Sequence, residues 1–352
     1  MHTQIKNKPY VNQLYEKYQT TDWLPTTRKE MDERGWDEAD IILFTGDAYV
    51  DHPSFGAAVI GRILEAEGLR VAIVPQPNWL DDLRDFKKLG TPRLYFAVTS
   101  GNMDSMVNHY TANKRKRSKD AYTPGGQHDK RPDYAATVYC NILKKLYPDT
   151  PVMLGGIEAS LRRVTHYDYW QDKLKPSILK EAKADLLFYG MGEKSILDFT
   201  RLVQRGVDAR TITNLPQTAF LVDKDDNYAT NKRWNNIDLY SHEECLSDKK
   251  KFAKNFMHIE EESNKSEANK ITQQIGNQQV VVNPPWPPLE EKEIDRFYDL
   301  PFTRLPHPKY KNKETIPAYE MIRHSINIHR GCFGGCTFCT ISAHQGKFIA
   351  SR

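Results

Sequence analysis

Short apolar runs, each closed by a polar, glycine-bearing loop, restrict the amino-terminal part of this chain to few folds. Ile41-Ile42-Leu43-Phe44-Thr45 comes first and ends in Gly46-Asp47-Ala48-Tyr49-Val50-Asp51-His52-Pro53. A continuous apolar run of this length suits a strand buried on both faces of a parallel sheet. An amphipathic stretch follows from Ser54, read as its cap, to Glu67, with Gly68 as the stop signal. Val71-Ala72-Ile73-Val74 is the next strand, then Leu94 to Val98, Val152 to Leu154 and Leu186 to Tyr189. Helices are expected over Tyr134–Leu146 and Lys194–Arg205. Strands alternating with helices predict an α/β fold with a doubly wound parallel sheet. Ligands of such sheets sit beyond the carboxyl ends of the strands. Four loops fall there: 46–52, 99–105, 155–160 and 190–193. Each is either an ordinary turn or part of a ligand surface.

The rest divides by composition. Residues 1–36 read as an irregular lead-in, in which Thr27 and Glu30 suggest a capping box. Residues 37–222 form the α/β domain. Residues 223–315 read as a charged helical excursion, centred on 248–274, with a stiff, proline-rich connector from Val280 to Leu289. Residues 316–352 open a second domain, whose first strand is expected at Ile326-Asn327-Ile328.

That last segment holds the chemistry. Cys332, Cys336 and Cys339 stand in the spacing C-x3-C-x2-C. Thiolates hold iron–sulfur clusters, commonly four to a cluster. Three would leave one iron of a 4Fe–4S cluster open to substrate or cofactor. Gly331, Gly334 and Gly335 let the backbone turn tightly around such a core. Phe333 and Phe338 are placed to screen it from water, and Arg330 brings charge that favours thiolate. The alternative is zinc, which in structural sites takes four ligands; His329 and His344 are the nearby candidates. The five cysteines are odd in number, and Cys140 and Cys245 stand alone, so no disulfide framework is implied and a reducing cytoplasm is expected. No apolar run reaches the roughly 18–20 residues that span a bilayer, and no membrane partner is expected. A net charge of +4 does not call for nucleic acid. The basic run Asn113 to Lys119 is either a phosphate contact, as in an RNA-binding or RNA-modifying protein, or a solvated loop. Asp51-His52 is either a base or ligand pair or a turn. Arg162, Arg163 and the patch His166-Tyr167-Asp168-Tyr169-Trp170 could stack on a planar ligand or pack within the fold.

The cysteine loop resembles that of the radical S-adenosylmethionine (SAM) enzymes. Gly46 to Gly56, Ser100-Gly101-Asn102-Met103-Asp104-Ser105-Met106, Gly155 to Arg163, His166 to Trp170 and His344-Gln345-Gly346-Lys347 are similar, more narrowly, to the YgiQ family of radical SAM proteins. The resemblance implies a 4Fe–4S cluster on Cys332, Cys336 and Cys339, with SAM on the open iron. It implies reductive cleavage of SAM to a 5′-deoxyadenosyl radical, an electron donor such as flavodoxin or ferredoxin, and an unknown substrate. The fold implied is a cobalamin-binding-like sheet followed by the start of a partial (β/α) radical SAM barrel. Gly190-Met191-Gly192-Glu193 matches the glycine–glutamate loop of cobalamin-binding domains. The cobalt-ligating D-x-H-x-x-G is not reproduced, since Asp51 adjoins His52, so cobalamin would have to bind without that histidine ligand. The chain continues only 352 − 339 = 13 residues past Cys339. A full barrel takes about 250 residues, so the expectation is an amino-terminal portion truncated just after the cluster loop.

Overall fold

The computed structural model describes residues 13–336 and 339–352, and forms two compact units. The first comprises 1–150 with 295–327; the second comprises 151–294 with 328–352. These cuts differ from the division by composition. The stretch 13–36 contributes to the core: Trp23, Leu24 and Met31 are fully buried in the first unit.

Three parallel strands lie at the centre of the first unit, β1 (Ile41–Thr45), β2 (Val71–Pro75) and β3 (Tyr95–Thr99), in the order β2-β1-β3. All five residues of β1 are buried, as an apolar run without alternation requires. The helix Gly56–Ala66 crosses from β1 to β2. It begins later than Ser54, and Phe55 at its N-cap offers no side-chain acceptor. The Ser54 hydroxyl instead donates to Asn327, 3.1 Å away. Gly68, at φ +83°, closes the helix as read. Thr27 caps the helix Arg28–Asp32 by accepting from the Glu30 N–H. The box is incomplete, because the Glu30 carboxylate accepts from Thr26 rather than from Thr27.

A mixed sheet runs through the second unit: the expected parallel pairing holds for its first two strands and gives way to antiparallel pairing beyond them. Its strands are β4 (Val152–Gly155), the small pair β5 (His166–Asp168) and β6 (Lys173–Lys175), β7 (Leu186–Phe188), β8 (Thr218–Asp223), β9 (Asn236–Leu239), β10 (Lys270–Ile275) and β11 (Gln278–Val282). The order is β4-β7-β8-β11-β10-β9, with β5 and β6 paired apart. β4 and β7 are parallel, as expected. β8, β11 and β10 then alternate in direction. The helical excursion is real at His242–Ser247 and Lys249–Glu262, but it is flanked by strands that were not foreseen. β10 and β11 form a hairpin over Gly276-Asn277, with Gly276 at φ +60°. Glycine at the first central position of a two-residue turn is a hairpin signal. It was masked by the glutamines of β10 and β11, which break the apolar pattern. Ile326 and Ile328 form no strand and are exposed; the strand is β12 (His329–Arg330), paired with β13 (Ala350–Ser351).

An ion pair between Asp51 and Arg62, both almost wholly buried, anchors the helix Gly56–Ala66, with Arg62 Nη2 2.6 Å from Asp51 Oδ2. The same carboxylate accepts from the Thr303 N–H at 2.8 Å. Removing one member of a buried pair strands the other charge, at a cost of roughly 3–5 kcal/mol. Arg62 retains Glu65, 2.7 Å from its Nη1, so Asp51→Ala is expected to lower the unfolding free energy by about 3 kcal/mol, the low end of that range, in a urea titration. A loss below about 1 kcal/mol would show that Arg62 finds water or another partner.

Candidate functional site

Two of the loops singled out by sequence are locked by structural contacts in the first unit. Asp47 accepts from the Asn102 N–H at 2.7 Å and lies 2.9 Å from Arg131 Nη2. Arg131 also binds Asp120 at 3.0 Å and the Ser100 carbonyl at 2.9 Å. Burial pushes the Asp47 carboxyl up to about 6, against the pull of Arg131. A side chain at Gly101, whose φ is +110°, would strike the Asp47 carboxylate. Asp51 is spent on Arg62. His52 Nδ1 accepts from the Ser54 N–H at 3.0 Å, and burial holds the ring down to about 4. It is neutral at pH 7 and shapes the turn.

The other two loops, 155–160 and 190–193, meet the carboxyl-terminal segment within the second unit. Arg330, immediately before the cysteine loop, forms a buried ion pair with Glu193 at the start of the helix Glu193–Gln204. Its charge is thus matched locally and does not act on the thiols alone. His344, on the helix Ile341–Gln345, has Nδ1 2.8 Å from the Ser160 hydroxyl. That hydroxyl donates to the Gly156 carbonyl at 3.0 Å and accepts from the Gly190 N–H at 2.8 Å. Its one proton is used, so His344 supplies the donor to it, with Nδ1 protonated and Nε2 bare. Burial holds His344 down to about 4. Gly190, at φ +65°, permits the approach; a Cβ there would meet the His344 carbonyl at 3.0 Å. The contact fixes the ring through Nδ1 and leaves Nε2 as the nitrogen with a free lone pair.

Between these two attachments lies the cysteine loop. Cys332 is partly buried, Cys336 exposed and Cys339 partly buried, all as free thiols. Gly331 and Gly335 have φ of +89° and +60°. Gly334 lies between two of the sulfurs: a Cβ on it would sit 3.4 Å from Cys332 Sγ and 3.7 Å from Cys336 Sγ, at ordinary contact distance. The Cys339 N–H donates to the Cys336 carbonyl at 3.0 Å. Among the described residues no three His, Cys, Asp or Glu side chains are already gathered around a metal-sized point. Phe333 is 78% exposed and shields nothing in this state. Phe338 lies outside the described residues.

The remaining candidates separate clearly. Lys116 pairs with Asp129 at 2.6 Å, and Arg117 donates to the Val107 and Tyr110 carbonyls. The basic run is thus partly consumed by its own loop. Tyr167, on β5, and Tyr169, just past its end, are about half exposed. Sequence reasoning missed a cavity of about 150 Å3 in the second unit, walled by Arg163, Tyr189, Lys194, Trp286, Arg330 and His344 among others. The one signal for it was the Pro-rich stretch around Trp286, which is wall rather than linker.

A family model for the radical SAM N-terminal domain matches residues 23–325. The chain belongs to that family. A UPF0313 protein of Bacteroides thetaiotaomicron is 64% identical, over 96% of this chain and 55% of the relative. One of Porphyromonas gingivalis is also 64% identical, over 94% and 52%, and one of Geobacter sulfurreducens 49%, over 94% and 53%. UPF0313 is the YgiQ family, so the narrower resemblance holds as well. The chain spans about half the length of the curated relatives it matches. No helix among the described residues is long and apolar enough to cross a membrane.

His344 gives a pH signature. Its pKa is about 4 when folded, against an ordinary value near 6.5, so the folded state refuses a proton that the unfolded chain accepts. Stability is therefore full above about pH 6.5 and falls as pH drops towards 4. His344→Gln is expected to reduce that slope by about one proton; His52 and His166, also held at about 4, maintain the rest. An unchanged slope would mean that His344 titrates normally.

Proposed function

We propose that this chain carries the cluster loop of a radical SAM enzyme, with Cys332, Cys336 and Cys339 as the three ligands of a 4Fe–4S cluster. The observation that carries the reading is the loop itself. Three free thiols stand in C-x3-C-x2-C spacing, with Gly334 between two of the sulfurs. Family membership supports it. When bound, the cluster would give one electron to SAM, yielding methionine and a 5′-deoxyadenosyl radical that takes hydrogen from a substrate. The residues of this chain do the positioning. Arg330 and Glu193 fix the entry to the loop, and His344 and Ser160 fix its exit. Segment 316–352 would then open a partial (β/α) barrel, in a cytoplasmic protein served by a flavodoxin- or ferredoxin-like donor.

Anaerobic reconstitution with iron and sulfide tests the ligand set. The intact chain is expected to take up about four of each, and each single Cys→Ala change to abolish most of that uptake. Iron content indifferent to all three changes would sink the assignment. Zinc at one equivalent without sulfide would favour a structural metal site instead.

A further inference from the structure

The second unit's cavity has an electrostatic imbalance that its own residues do not resolve. Four of its cationic walls have carboxylate partners. Lys194 lies 2.9 Å from Glu293, and Lys347 2.6 Å from Glu260. Lys265 lies 2.5 Å from Glu262, whose other oxygen accepts from the Asn269 N–H, and Arg330 is held by Glu193. Arg163 is different. Its guanidinium donates to the Ser160 carbonyl and lies 4.9 Å from the centre of the Tyr189 ring, but no carboxylate among the described residues is at ion-pair distance. Glu260 acts on it only from farther off, and is already taken by Lys347. The side chain sits deep among protein atoms yet retains accessible surface, because it lines the cavity. A desolvated cation without a counter-charge is costly to the fold. Burial accordingly weakens the guanidinium's hold on its proton relative to its ordinary value. A second group is also unsatisfied: the indole N–H of Trp286, on the same wall, is buried and finds no acceptor among the described residues. The nearest cation to that ring, Lys194, stands 4.6 Å from its centre.

We propose that this cavity is a binding site for a small organic anion, a carboxylate or phosphate on a ring-sized body, with Arg163 as counter-charge and the Trp286 N–H as a second donor. Guanidinium has a planar fork of donors that matches either acid group through two hydrogen bonds. About 150 Å3 is the volume that holds a benzene-sized molecule, and the flanking rings of Tyr189 and Trp286 supply a flat apolar lining. The site goes beyond the cluster reading and needs neither iron nor SAM.

The test uses the purified chain without iron or sulfide, so its outcome is separate from that of the cluster. Benzoate and phenyl phosphate serve as probes and benzyl alcohol as the neutral control, followed by calorimetric titration and thermal unfolding. At least one anion is expected to bind saturably and raise Tm, and the better of the two identifies the acid group; benzyl alcohol is expected to do neither. Arg163→Gln is expected to weaken anion binding at least about tenfold while leaving the probe-free Tm unchanged or higher, because a partly desolvated cation without a carboxylate partner is gone. A merely structural Arg163 would instead lower that Tm. If Arg163→Gln does not fold, Trp286→Phe reads the same site through loss of its N–H, and weaker anion binding supports the proposal. No anion binding, equal binding of benzyl alcohol, or undiminished binding in the variant that folds would overturn it.

Discussion

The buried ion pair between Arg330 and Glu193 is the constraint on which the carboxyl-terminal segment depends. Two charges removed from water hold a geometry only if each continues to have the other. Glu193 opens a helix directly after Gly190-Met191-Gly192, and Arg330 lies two residues before the first cysteine. The pair therefore ties the entry of the cysteine loop to the carboxyl end of β7. On the far side of the loop, His344 does the same through Ser160, which follows β4. A loop held at both ends can leave its thiols exposed without losing its place. That combination suits a metal centre better than a core, since cysteine chemistry requires access.

The first unit shows the other use of the same kind of loop. Asp47, Arg131 and Asp120 pack the carboxyl ends of β1 and β3 into a closed ionic cluster, and Asp51 goes to Arg62. These acidic residues look chemical in sequence and are structural in place. His52, neutral and buried, belongs with them. The glycines explain why: Gly101 exists so that Asp47 can reach across, not so that a ligand can enter.

How much was legible follows from which forces the residues advertise. β1, β2 and β3 were readable because continuous apolar runs have no other comfortable place. The cysteine spacing was readable because the donor chemistry is carried by identity alone. β10 and β11 were missed because Gln273, Gln274, Gln278 and Gln279 break the apolar alternation that marks a strand. Arg330 and His344 were each noticed as charges or donors, but not with their partners. Those partners, Glu193 and Ser160, are 137 and 184 residues away, and no local pattern encodes such pairings. The cavity was invisible for the same reason, being assembled from segments that only the fold brings together.

Electron paramagnetic resonance on the anaerobically reconstituted and reduced chain tests the central claim most directly. The account predicts a reduced 4Fe–4S signal that is lost when Cys336, the most exposed of the three thiols, is changed to alanine. A silent spectrum from a folded chain, with about one zinc bound and no sulfide, would contradict it.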